Sequence, residues 1–477
     1  MKLSIARLIV VISATLVGAR FCPGQTPPAA APRPNVIFIL ADDLGWGELG
    51  CYGQQVIQTP YLDQMALEGL RFQHFYAGAT VCAPSRSVLM TGQHQGHTRV
   101  RGNAGRTNPA AQALRDEDLT VAELARAAGY RTALFGKWGL GNIPGAESGL
   151  PNRQGFDEFF GYLSQHHAHN HFPDYLWHNE DRVQLRNVIT PMGQDGAGYA
   201  VEAVEYADDL FAQKVLEFVS AERQEPFFLF WSLVTPHANN ERSAALGNGA
   251  HVPDFGPYAD RDWPEQDRGH AAMITRLDTH VGRLLERLRE TRQDRRTLVL
   301  FSSDNGPHNE SRHNLQRFKP AGPFSGIKRS LTDGGIRVPL IAWQPGFVPG
   351  GRQSSHVGSF QDLMATLAEL SGASTPPDTD SISFVPELTG ATERQRQHEF
   401  LYWEFHEGGF RQACLFRQRW KAIRPLPGEL QLFDTDADPA EQRNVAALHP
   451  EIAQKTASFL DQARTPAADW VPKPASR

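Results

Sequence analysis

Cysteine is nearly missing from this chain: 477 residues hold four, at Cys22, Cys51, Cys82 and Cys414. They are scattered without paired spacing, which excludes a disulfide framework and a C-x-x-C metal site. Long apolar runs are lacking beyond the N-terminus, so no later segment qualifies as a transmembrane helix. Excess positive charge is lacking too. The formal net charge is -6, which argues against nucleic acid as the partner. Internal repeats are missing, and low-complexity sequence is confined to the region before Pro34 and the last few residues.

What is present begins with an export signal over residues 1–19. Lys2 and Arg7 flank the start of the apolar "LIVVISATLVGA", and Val17-x-Ala19 suits a small-residue cleavage site. The expectation is an exported protein, periplasmic or extracellular. Residues 20–33 read as a Pro/Ala-rich tether. Lipid attachment at Cys22 is disfavoured by Arg20 and Phe21 before it.

Several apolar runs then end abruptly in polar residues. "NVIFIL" meets Asp42-Asp43, "YRTALF" meets Gly136-Lys137, "PFFLFWSLV" meets Thr235-Pro236-His237, and "RTLVLFSS" meets Asp304-Asn305. "RVPLIAW" is a fifth run of the same kind. Continuous apolar runs of this length suit strands buried on both faces of a parallel sheet. Helical patterns alternate with them. Thr120 to Glu123 form a capping box, with Gly129 as the helix stop. Met273, Leu277, Val281, Leu284 and Leu288 form a helical stripe, and His270 and His280 between them read as surface residues. The predicted fold is α/β over 34–390: a large, mixed, mainly parallel sheet sandwiched by helices. In such sheets ligands bind beyond the carboxyl ends of the strands, where these polar residues would converge.

Over 391–477 the texture changes. "EFLYWEF", "QACLFR", "RWKAIRP" and "ELQLFDT" are short runs between turn residues, which predicts a small antiparallel sheet. "HPEIAQKTASFLDQAR" predicts a closing helix with Pro450 in its first turn.

Asp42, Asp43, Asp304 and Asn305 offer only oxygen ligands from two strand ends. Hard donors of this kind suit calcium or magnesium rather than zinc or copper. Around them, "CAPSR" at Cys82 to Arg86, followed by "MTG", resembles the C-x-P-S-R signature of type I sulfatases. "ADDLGWGELGCYG", "FGKWGLG", "TPH", "SDNGPH" and "GIKRSLTDGGIRVP" resemble that family's other blocks in order, and "QLFDTDADPAEQRNV" resembles its C-terminal signature.

The resemblance implies an alkaline phosphatase-like fold and hydrolysis of a sulfate ester, on a sulfated glycan or an aryl sulfate. It implies that Cys82 is converted to formylglycine by a separate formylglycine-generating enzyme. The hydrated aldehyde would supply one hydroxyl to attack sulfur and a second to collapse and expel sulfate. It further implies a metal site of Asp42, Asp43, Asp304, Asn305 and the modified Cys82, with calcium preferred to magnesium. Arg86, Lys137 and Lys328 would stabilise the transferring sulfate, and His237 would protonate the leaving alcohol.

One position departs from the family pattern. Many members read Gly-Lys-Trp-His-Leu-Gly, whereas this chain has Gly139 where the histidine stands. Asp304, or a histidine from elsewhere, is expected to fill the gap. "SQHHAHNHFPDYLWHN" offers His166, His167, His169 and His171, set beside Tyr175 and Trp177 as in carbohydrate sites. His167, His169, His308 and His406 are the expected substrate contacts. The Gly139 variant, "HAHN", "GIKR" and "YWEFH" together resemble bacterial enzymes acting on 4-O-sulfated galactose or N-acetylgalactosamine. Two other readings stand beside this one: a phosphonate monoester or phosphodiester hydrolase sharing the fold, and a carbohydrate-binding pseudoenzyme marked by Gly139.

Overall fold

Side chains that are apolar on both faces leave Asn35–Asp42 only one stable place, the middle of a sheet covered on both sides, where they form strand β1. The structure, a computed structural model, describes residues 33–104, 108–193 and 195–474. The expected signal, Cys22 and all of the tether but Arg33 lie outside the described residues.

Along the chain follow β2 (Leu70–Tyr76), β3 (Arg131–Lys137), β4 (Glu158–Tyr162), β5 (Tyr175–His178) and β6 (Asp181–Gln184). A separate hairpin comprises β7 (Val188–Pro191) and β8 (Gly198–Glu202). The sheet is completed by β9 (Phe227–Pro236), β10 (Thr297–Ser303), β11 (Arg337–Trp343) and β12 (Arg352–Ser359). Its order is β12-β2-β11-β10-β1-β9-β3-β4-β5-β6. The five strands from β10 to β4 are mutually parallel. The run "RVPLIAW" departs from them: as β11 it pairs antiparallel with both β10 and β2. Its seven residues are buried on both faces either way, so the apolar pattern carries no sign of direction.

Alternate side chains of β1 feed two cores. Val36, Phe38 and Leu40 join the layer of helices α1 (Cys82–Thr91) and α2 (Val121–Ala127). Ile37, Ile39 and Ala41 join the layer of α3 (Ala207–Ser220) and α4 (Glu265–Glu290). The capping box of α2 forms as expected, Thr120 accepting from the Glu123 amide. The α4 stripe faces the core, but its histidines are not on the surface. His270 is buried and bonded to Glu48 at 2.6 Å, and His280 to Asp209 at 2.9 Å. Neighbouring elements cover both sides of this helix, which its own periodicity does not reveal.

The last part folds as β13 (Phe400–Phe405), β14 (Arg411–Phe416), β15 (Trp420–Pro425) and β16 (Gln431–Asp434), antiparallel in sequence order, with a helix at Pro450–Gln462. It shares a core with the large sheet through Leu401 and Trp403 against Tyr76, Val81 and Ile336. The fully buried Lys421 ammonium bonds Asp333 at 2.9 Å and lies 3.3 Å from Glu441. That contact braces the loop which carries Lys328, five residues before Asp333.

Candidate active site

Parallel register brings the strand ends into line. Asp42 stands beside Pro236, Ala41 beside Ser303, and Gly136 beside Ser232. The polar residues that follow each run therefore meet at one edge. Gly136 is required there: a Cβ would lie 1.7 Å from the Ser232 carbonyl oxygen. Asp43 takes φ +67, which breaks strand alternation and lets both adjacent carboxylates enter the same cluster.

Cys82 opens α1 and Arg86 follows one turn later, so the two share a helix face. Pro84 sits in the first turn, where its missing N–H costs no helix bond. The Cys82 Sγ lies 3.4 Å from Asp42 Oδ1. Burial, then the Asp42 charge, pushes the thiol well above its ordinary range, so it stays protonated at neutral pH. Arg86, 1% exposed, donates from Nε and Nη2 to Asp304 at 3.1 and 2.9 Å. Its Nη1 reaches the Lys137 carbonyl and the Ser232 hydroxyl.

Each buried acid has a cation. Lys137 donates to Asp42, and Lys328 to Asp43 at 2.8 Å. Burial alone would raise Asp42, yet Lys137, His237 and Arg86 hold it well below the carboxylate range. Asp304 goes the other way, pushed up to about 7 by burial and the Asp42 charge despite Arg86. Asn305 donates its Nδ2 to Asp43 at 2.7 Å, while its Oδ1 is buried with no hydrogen-bond partner. Three carboxylates with an unpartnered amide oxygen make a hard, oxygen-rich donor set. These residues fit a divalent cation such as calcium or magnesium.

His237 donates from Nδ1 to the Ala238 carbonyl at 2.7 Å and turns Nε2 to the Lys328 ammonium at 3.1 Å. Burial and Lys328 keep it well below the ordinary imidazole range. The imidazole is thus neutral and accepts from the Lys328 ammonium. His308 stands behind, donating to the Pro236 carbonyl at 2.9 Å and accepting from the Glu310 amide at 3.0 Å. His169 stacks on His237 with centroids 4.9 Å apart.

The residues expected to form the nucleophile and metal group thus come together: Asp42, Asp43, Cys82, Arg86, Lys137, His237, Asp304, Asn305 and Lys328. His169 and His308 adjoin them. His167 does not contact them: it is fully buried between Tyr162 and Tyr175, and burial pushes it down to about 3. His406 belongs to the small sheet, bonded to Glu404 and packed on Phe410 and Trp470.

Sequence reading missed Glu310. Its carboxylate accepts from Lys328 at 3.1 Å and from Arg329 at 2.6 Å, and lies 3.8 Å from His237 Nε2. Burial opposes ionisation, but Lys328 and its neighbours hold Glu310 far below the usual range. The only signal was its place six residues after Asp304, inside Asn309-Glu310-Ser311, which has the N-x-S pattern of a glycosylation sequon. Ser311 of that sequon is 1% exposed.

Gly139 has φ +84, and a Cβ there would lie 2.2 Å from Gln165 Nε2. Gln165 takes up the space into which the histidine expected from the resemblance would project. Gly139→His is therefore expected to lower stability by about 1–3 kcal/mol, the cost of a left-handed non-glycine residue. It is expected to leave turnover unimproved. Thermal unfolding and steady-state kinetics of the variant check both points, and a gain in kcat would contradict them.

Comparison with known proteins follows the same lines. Residues 34–373 match the family described as Sulfatase, and residues 325–465 match one described as N-sulphoglucosamine sulphohydrolase, C-terminal. The N-acetylgalactosamine-6-sulfatase of Canis lupus familiaris is 32% identical over 399 residues, covering 80% of this chain and 70% of that protein. Arylsulfatase A of Homo sapiens is 32% identical over 444 residues, covering 86% and 78%. Among solved structures, Ps i-CgsB superposes with a TM-score of 0.75 at 25% identity, covering 92% of this chain and 94% of that one.

Proposed function

This chain belongs to the sulfatase family and is a sulfuric ester hydrolase, and we propose that it removes sulfate from a sulfated galactose or N-acetylgalactosamine using formylglycine and a divalent cation. The observation that carries the reading is the position of Cys82: first in α1, 3.4 Å from Asp42, and surrounded by Arg86, Lys137 and Lys328. Formylglycine at residue 82 would supply a hydrated aldehyde, one oxygen attacking sulfur and the other releasing sulfate by return to the aldehyde. Asp42, Asp43, Asp304 and Asn305 would hold the cation, calcium in preference to magnesium, which would lower the pKa of that hydroxyl and screen the sulfate charge.

The chain's own residues do the rest. Lys137 and Lys328 present fixed positive charge where the sulfate oxygens gather negative charge in the transition state. Arg86 locks Asp304 by two hydrogen bonds and so holds one side of the cluster rigid. The Lys328–His237 pair holds a proton beside the leaving oxygen, and Glu310 keeps Lys328 charged. Gly139 leaves deprotonation of the hydrate to Asp304, whose charge acts directly on the Cys82 position.

N-acetylgalactosamine is supported by one named relative, whose ester is at position 6, while the resemblance carried by the Gly139 variant adds galactose and position 4. The alternative of phosphonate or phosphodiester hydrolysis is separated from this one by turnover. Nitrophenyl sulfate is expected to exceed phenyl phosphonate and phosphodiester analogues in kcat/KM by at least about tenfold, or roughly 1.4 kcal/mol in transition-state binding. Dominant phosphonate turnover would sink the reading. A carbohydrate-binding pseudoenzyme would turn over none of them. Assay of 4-O- and 6-O-sulfated sugars then places the ester.

A further inference from the structure

A cavity of about 430 Å³ opens beside the catalytic cluster, a size suited to a small polar ligand such as a sugar unit. Gly139 lines it, two residues after Lys137, and so does His166, whose ring is 5.6 Å from that of His169. His169 in turn stacks on His237. The cavity thus adjoins the catalytic cluster through the neighbouring rings of His166, His169 and His237. Its far wall is the β5–β6 hairpin, with Tyr175, Trp177 and Arg182.

Arg182 is the informative residue. It is exposed, and its guanidinium lies 4.5 Å over the Tyr175 ring and 5.0 Å over the Trp177 ring. No carboxylate among the described residues forms an ion pair with it. The stacked rings hold it in place. Because they are covered, they offer a sugar no free stacking face: Tyr175 and Trp177 are only 8% and 5% exposed. What this wall offers is a pre-positioned cation with a planar set of donors, the geometry that recognises oxyanions. The one carboxylate among the described lining residues, Asp195, is engaged by Ser164 at 2.8 Å and lies 3.5 Å from His166 Nδ1. The Gln165 side chain adds a buried amide Nε2 with no hydrogen-bond partner.

We propose that this cavity is a subsite for the sugar joined to the sulfated one, and that Arg182 binds an oxyanion on it, a uronic acid carboxylate or a second sulfate. The inference rests on the sulfatase reading and deepens it from a sulfated sugar to a polyanionic glycan.

The test uses the full-length enzyme, Arg182→Ala and Arg182→Lys on four substrates. These are nitrophenyl sulfate, and a sulfated N-acetylgalactosamine linked to galactose, to glucuronic acid or to a sulfated galactose. Arg182→Ala is expected to raise KM by about 10- to 100-fold on whichever charged disaccharide matches, the range for losing a hydrogen bond to a charged group. It should leave kcat, the neutral disaccharide and nitrophenyl sulfate unchanged, and Arg182→Lys should recover part of the loss. Preference between the two charged disaccharides identifies carboxylate or sulfate as the oxyanion. Equal KM for charged and neutral disaccharides, or the same loss on nitrophenyl sulfate, overturns the proposal. Calorimetric binding of the same disaccharides reads the subsite even without turnover. Failure of the subsite and failure of the sulfatase reading are thereby distinguishable.

Discussion

Cys82→Ala and Cys82→Ser are both expected to reduce turnover of nitrophenyl sulfate by about 10⁴-fold or more, the scale seen when a covalent nucleophile is removed. The serine variant is the sharper test. It keeps one oxygen at the attacking position but lacks the second hydroxyl whose collapse to an aldehyde would expel sulfate, so it should stall after at most one turnover. Neither change should unfold the protein. Cys82 is buried at the start of α1, its Sγ makes one weak contact with Asp42 at 3.4 Å, and a protonated thiol carries no charge to compensate. Removing it leaves a space the size of one sulfur atom, a loss of about 1 kcal/mol. Peptide mass spectrometry across residue 82 of the wild-type enzyme completes the measurement. Sulfur should be replaced by an aldehyde oxygen with loss of two hydrogens. Undiminished activity in Cys82→Ala, or an unmodified thiol in fully active enzyme, would remove the proposed nucleophile.

Arg86→Met should do what the cysteine variants do not and destabilise the fold, by about 3–5 kcal/mol, because it strips a partner from buried charge. Four donor contacts depend on this guanidinium: two to Asp304, one to the Lys137 carbonyl and one to Ser232. It also lies 3.7 Å from Asp42. Methionine fills most of the volume, so packing loss is the smaller part. Arg86→Lys keeps the charge without the planar fork, and should recover some stability but little activity. Urea unfolding with the divalent cation held at fixed concentration measures the first effect, and kcat/KM the second. A Met variant as stable as wild type would mean that the Arg86–Asp304 pair contributes little to holding β10 and α1 together.

Much of this arrangement is legible in the chain because a parallel sheet converts sequence into position. A strand buried on both faces must be apolar throughout, so the first polar residue marks where it leaves the core. Parallel neighbours leave at the same edge. Asp42, Lys137, His237 and Asp304 could therefore be grouped before any coordinates, and the Cys82–Arg86 spacing is that of one helical turn. The small sheet was legible for a similar reason, since four short runs between turn residues can hardly pair otherwise. Side chains outside these repeats were not. His167 and His169 are two residues apart on the same loop, yet one is sealed between tyrosines and the other stacks on His237.

By itself, then, the sequence determined the α/β architecture, the edge at which chemistry gathers and the oxygen character of the candidate metal group, because all three follow from periodicity and residue type along single strands and helices. Only the tertiary structure decided that Glu310 joins Lys328 and His237, that His237 accepts rather than donates at Nε2, that His270 and His280 are interior, and that Gly139 makes way for Gln165. Each of these depends on which distant segment lies across from the residue. Loops carry no repeating pattern from which that neighbour could be read.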